Sequence, residues 1–145
     1  MKKDTTATGR EVKLKPGSLL VSLIDLQGII IDASSEFIAV SGFNRDELIG
    51  ANHNIVRHLD MPPAVFEDLW STVKALKPWQ GIVKNRTKSG AYYWTKTHVQ
   101  PTLKDGEAYE YLSVGYALSR HKIKYAELLY RLINDNAAPI ESIKE

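Results

Sequence analysis

Two short runs concentrate the side chains that can do chemistry. In the first, His53-Asn54-Ile55-Val56-Arg57-His58-Leu59-Asp60-Met61-Pro62, two imidazoles, a guanidinium, an amide and a carboxylate stand close together. Such a set can hold an anionic or heteroaromatic ligand through charge-assisted hydrogen bonds, with the arginine suited to phosphate. The same residues also make an ordinary surface loop in which Asp60 caps the helix that follows. As metal ligands His53 and His58 are badly spaced, because five apart they do not stack on one helical face, and no third ligand is near. The histidines at 53, 58, 98 and 121 leave haem ligation open, since one imidazole suffices for it.

The second run is Trp79-Gln80-Gly81-Ile82-Val83-Lys84-Asn85-Arg86. In a strand alternate side chains share a face, so Trp79, Gly81, Val83 and Asn85 point one way. If that face is the inner one, Asn85 is a buried amide in need of a partner, and Gly81 leaves room between two larger side chains. A bound heterocycle meets both needs. A core tryptophan and an asparagine bonded to the turn at Thr87-Lys88-Ser89-Gly90 meet them as well.

Several chemistries drop out. The chain has no cysteine, which removes thiolate nucleophiles, cysteine-ligated zinc and flavin photochemistry through a cysteinyl adduct. Ser34 and Ser41 have no histidine and aspartate in triad order, and the glycines are too scattered to cradle a phosphate. There is no dinucleotide fingerprint and no evident general base facing a substrate pocket, so the expectation is a binding module and not an enzyme. A net charge of +2 is too small a field to make nucleic acid the expected partner. The longest apolar stretches, 18–24 and 28–31, fall far short of the ~20 residues that span a bilayer. The basic N-terminus has no apolar segment behind it and does not read as a secretory signal.

The elements that must position these residues follow from the hydrophobic pattern. A content of 43% hydrophobic and 25% charged residues fits one soluble core. Residues 1–17 are polar and read as a flexible entry segment, and the domain proper is expected over 18–120. Apolar runs at 19–25 and 28–33, joined through Gln27-Gly28, predict a hairpin. Short helices are expected at 35–40 and 45–49, the second capped by Asn44 and Glu47. A longer helix is expected after Asp60 and the prolines, with Phe66, Leu69, Trp70, Val73 and Leu76 as its apolar face. Strands over 79–86, 91–101 and 108–119 make a three-stranded meander, and a connector helix and tail fill 121–145. Trp70, Trp94, Tyr92, Tyr93, Tyr111 and Tyr116 are expected to be packing residues. The order is α+β, with helices gathered over one side of an antiparallel sheet.

These residues resemble a PAS domain over about 19–120. Ser41-Gly42-Phe43, Glu47-Leu48, the 53–62 segment and Lys84-Asn85-Arg86 fall in order and at family spacing. The 53–62 segment is similar to that of the flavin-binding PAS sensors of bacterial aerotaxis receptors, within the methyl-accepting chemotaxis protein family. The resemblance implies a PAS fold: a five-stranded antiparallel sheet, helices packed over one face with FAD between them, and a C-terminal exit helix. It implies a cytoplasmic redox- or oxygen-sensing module of a receptor anchored in the inner membrane, relaying its signal to a downstream region of the same protein. Carried over by position, His53, Arg57, His58 and Asp60 support the FAD, Trp79 and Asn85 lie near the flavin, and Ser34 lines the pocket in place of the family's asparagine. Tyr116 is expected to reshape the same cavity. The alternative is a PAS domain with another ligand or none, acting as a homodimerisation or relay module.

Overall fold

The structure, a computed structural model, describes residues 9–139. Residues 1–8 and 140–145, parts of the predicted entry segment and tail, lie outside the described residues. The rest of the entry segment is not loose. Val12 N donates to Tyr92 O, Tyr92 N donates to Arg10 O, and Glu11 takes a two-bonded ion pair from Arg120 at 2.9 and 3.0 Å.

Strands β1 (Leu19–Ile24) and β2 (Ile30–Ala33) form the predicted hairpin. Its turn is folded by Asp25, whose carboxylate accepts from the backbone of Gln27 and Ile29, while Gly28 takes the left-handed conformation at φ 88 that the turn requires. The meander is β3 (Trp79–Arg86), β4 (Tyr92–Lys104) and β5 (Glu107–Tyr116). β1 pairs with β5, so the antiparallel sheet runs β2-β1-β5-β4-β3 and places the first hairpin beside the last strand.

The segment between β2 and β3 supplies α1 (Ser35–Ser41), α2 (Arg45–Leu48), a 3-10 turn (His53–Val56) and α3 (Pro63–Lys74). Asn44 and Glu47 make the predicted capping box, each satisfying the other's backbone N–H. Asp60 does not cap α3. Pro62 holds the N-cap position with no side-chain bond, and the Asp60 carboxylate goes instead to Lys84 Nζ at 2.7 Å. An ammonium within reach outcompetes a neutral N–H for a carboxylate.

Strand alternation sorts the sheet into two faces. Leu20, Ser22, Ile24, Val83, Asn85, Tyr93, Thr95, Thr97, Val99, Ser113 and Gly115 face α1, the 3-10 turn and α3. Trp94, one residue out of phase, stacks on Tyr130 of α4 (Arg120–Asn134) at 6.3 Å. The exit helix therefore packs on the opposite face from the other helices, and the sheet is covered on both sides over β3 and β4. Tyr130 also donates its hydroxyl to Ile82 O, and Asn134 donates to Asp60 O at 2.8 Å.

Candidate functional site

Four of the buried polar side chains, Ser22, Asn85, Thr95 and Ser113, sit on the inner sheet face. Polar groups there are costly unless satisfied. They border a cavity of about 270 Å³ between the sheet and the helices, near the lower end of the volumes of small-molecule pockets. Its rim is built by the 3-10 turn and α3, where the exposed Asn52 and Asn54 face the half-buried Arg57, Phe66 and Trp70.

The backbone brings the two chemical runs together. An isolated antiparallel bridge joins Arg57 to Asn85, so the end of the first run lies along the end of β3. Asn85 is 8% exposed. Its Nδ2 faces Val83 O, Tyr93 O and Thr95 Oγ1 at 3.3, 3.4 and 3.1 Å. Among the described residues no donor reaches its Oδ1, which leaves a carboxamide acceptor at the cavity wall. Arg57 lies over the Phe66 ring at 3.9 Å and makes no ion pair among the described residues. Burial pushes its guanidinium below the ordinary value without discharging it.

His53 lines the cavity with its Nε2 3.1 Å from Ser22 Oγ and its ring stacked on Phe37 at 5.8 Å. Burial pushes its pKa down to about 4, so the ring is neutral at physiological pH. Tyr93, fully buried on the same wall, has its phenol pushed up by burial and stays protonated.

Of the seven residues singled out in the sequence, His53, Arg57 and Asn85 line this cavity and four do not. Trp79 shares the face of Asn85 but folds back along its own strand. A Cβ on Gly81 would stand 2.5 and 2.6 Å from its ring carbons, and its Nε1 donates to Asp68 of α3 at 2.9 Å. It is a strut between β3 and α3 and does not line the cavity. Ser34 is the N-cap of α1, accepting from Phe37 N and from Val21 N. His58 points away, its Nδ1 accepting from Asp60 N and its ring edge-on to Tyr92. Asp60 is exposed, and Lys84 beside it holds its carboxyl below the usual range. Tyr116 lies on the outer face against His98, so the cavity end on β5 is shaped by Gly115 instead.

Sequence reasoning missed Ser22, Thr95, Thr97 and Ser113, and it assigned Phe66 and Trp70 to packing. A signal was present for the first four. Each is a hydroxyl in strand phase with large apolar neighbours, as in Tyr93-Trp94-Thr95-Lys96-Thr97-His98-Val99, where a wholly packed inner face has no use for it.

A fold of this topology has counterparts. The family model for the PAS fold matches residues 30–115. The chain belongs to the PAS fold family. Within it, the chain is 40% identical over 127 residues to the aerotaxis receptor of Escherichia coli (strain K12), covering 88% of this chain and 25% of that protein. It is 24% identical over 139 residues to the nitrogen fixation regulatory protein of Klebsiella oxytoca, covering 91% of this chain and 28% of that protein. The chain thus spans about a quarter of the length of these curated relatives. Among solved PAS-like structures, the dark state of the blue-light photoreceptor Aureochrome1 LOV superposes with a TM-score of 0.66 at 19% identity, over 81% of this chain and 86% of that one. A light-oxygen-voltage domain studied with a flavin analogue gives 0.69 at 19% identity, over 81% and 89%.

Proposed function

We infer that this PAS domain is a sensory module that holds a flavin nucleotide, FAD, in the cavity beneath its sheet and reports the flavin's redox state to a downstream region of a receptor. The observation that carries the reading is the pairing of an unengaged carboxamide oxygen on Asn85 with an arginine, Arg57, that has no ion pair among the described residues. Flavins supply reversible electron and proton uptake on a flat ring whose imide edge carries an N–H, together with phosphates on a flexible tail. Asn85 Oδ1 suits the imide N–H, and the Arg57 guanidinium suits the phosphates. The cavity volume fits a ring system better than a whole dinucleotide, which leaves the tail to the rim where Arg57, Asn52 and Asn54 lie. Similarity to an aerotaxis receptor supports the same assignment.

The reading is of a ligand-binding relay and not of an enzyme, working on the cytoplasmic side of a membrane-anchored receptor. No described helix is long and apolar enough to cross a membrane. The relay path is the exit helix, which Asn134 ties to the backbone of Asp60 in the segment that carries Arg57. Haem is the weaker alternative. Of the four histidines only His53 lines the cavity, and its Nε2 is engaged with Ser22.

Purified chain refolded with FAD is expected to show flavin absorption bands that stay with the protein through gel filtration. Asn85→Leu, which keeps the shape and removes the amide, is expected to weaken FAD binding by roughly 10- to 100-fold. Trp79→Phe should change it by less than about twofold, since the indole lies outside the cavity. Colourless protein after refolding with FAD would refute the reading.

A further inference from the structure

The β4 wall of the cavity carries a hydrogen-bond chain with a definite direction. Val83 O and Tyr93 O fix the Asn85 amide, because a turned amide would set Oδ1 against two carbonyl oxygens. Of its two N–H groups Nδ2 gives one to Thr95 Oγ1, the nearest acceptor at 3.1 Å, and shares the other between the two carbonyls; Thr95 Oγ1 lies 2.7 Å from Thr97 Oγ1. One hydroxyl proton is used between the two threonines and the other is left over. Thr95 is 3% exposed, whereas Thr97 is half-buried and opens on the cavity. An unbonded proton costs least at the more open oxygen, so Thr95 donates to Thr97 and Thr97 donates into the cavity. Gly115 on β5 leaves room for the Thr95 side chain. A Cβ there would meet Thr95 Cβ and Cγ2 at 3.2 Å.

The wall thus offers an acceptor at Asn85 and, at the other end of the chain, a donor at Thr97. We propose that Thr97 is a ligand-reading residue, whose hydroxyl donates to an acceptor atom of the bound heterocycle and favours the ligand form that carries a bare acceptor there over the form protonated there. The proposal rests on the flavin reading and deepens it. Oxidised flavin takes up two electrons and two protons on reduction, and a ring nitrogen that accepted a hydrogen bond then carries an N–H. That N–H meets the Thr97 proton head-on, or Thr97 must turn and reverse its bond with Thr95. Either response penalises the reduced form, so Thr97 holds the reduction potential down.

The test compares the chain with Thr97→Val, which has the same shape and no hydroxyl, and Thr97→Ser, which keeps it. FAD affinity is read by fluorescence quenching, and the midpoint potential by titration with dithionite against a reference dye. Thr97→Val is expected to bind oxidised FAD about tenfold more weakly and reduced FAD about equally, raising the midpoint by roughly 30 mV for a two-electron couple. Thr97→Ser should keep the parent potential. A Thr97→Val midpoint equal to the parent's, with FAD bound by both, would overturn the role of Thr97 and leave the flavin reading standing. Failure of the parent chain to bind FAD would overturn both.

Discussion

Gly81→Ala is expected to destabilise the domain by about 3 kcal/mol, a fall in Tm on the order of 10 °C, although it adds a single methyl to a good strand position. The cause is Trp79. Its ring covers the space above Gly81 so closely that the new Cβ would stand 2.5 Å from one ring carbon and 2.6 Å from another. The indole has nowhere to retreat, since it is 5% exposed and its Nε1 is bonded to Asp68 on α3. Moving the ring breaks that bond and opens the seam between β3 and α3. In a Trp79→Leu background the same Gly81→Ala change should cost less than about 1 kcal/mol, because the obstructing ring is gone. Equal costs in the two backgrounds, read from denaturant unfolding, would show that Trp79 does not cover Gly81.

The second large effect depends on pH. His53 has its pKa lowered by burial to about 4, against an ordinary value of 6.5. Between those two values the unfolded chain binds a proton that the folded chain refuses, so stability rises with pH across this window. The contribution is fully present above pH 6.5 and is lost progressively as the pH falls towards 4. The shift corresponds to about 3 kcal/mol at 1.36 kcal/mol per pKa unit. His53→Gln keeps a partner for Ser22 and cannot titrate. Its stability relative to the parent is expected to improve by about 2–3 kcal/mol between pH 7.5 and 4.5, whatever the offset at neutral pH. Taking the difference cancels the acid sensitivity of Asp32, Glu47 and Asp60, whose carboxyls are held low by Arg45, Lys88 and Lys84. Parallel curves for the two proteins would mean that His53 is not held neutral by burial.

Local chemistry was the most legible part of the sequence. The capping box at Asn44 and Glu47 and the bounds of β3 follow from near neighbours along the chain, and both stand as expected. What failed needed distances across the fold. Asp60 has the right type and place for a helix cap, but Lys84, distant in sequence, takes its carboxylate. The apolar stripe of α4 showed that the helix must pack, but a stripe cannot say which face of a sheet it meets. Trp79 and Asn85 do share a face, as alternation required. The cavity reaches Val99, the register partner of Trp79, but the Trp79 ring lies over Gly81 with its Nε1 tied to Asp68, a contact across the fold that alternation cannot show. Thr95 and Thr97 were the opposite case: chemically plain in the sequence, they gain a role because β4 pairs with β3 in a register that sets Asn85 opposite Tyr93.

The central claim is that a flavin occupies the cavity between the inner sheet face and the 3-10 turn, and nuclear magnetic resonance of the ¹⁵N-labelled chain titrated with FAD tests it most directly. The account predicts the largest shifts at the Asn85 side-chain amide and at the backbone amides of Ser22, Thr95 and Ser113, with His98 and Tyr116 on the outer face nearly still. Shifts confined to the outer face, or a spectrum that FAD leaves unchanged, would contradict it.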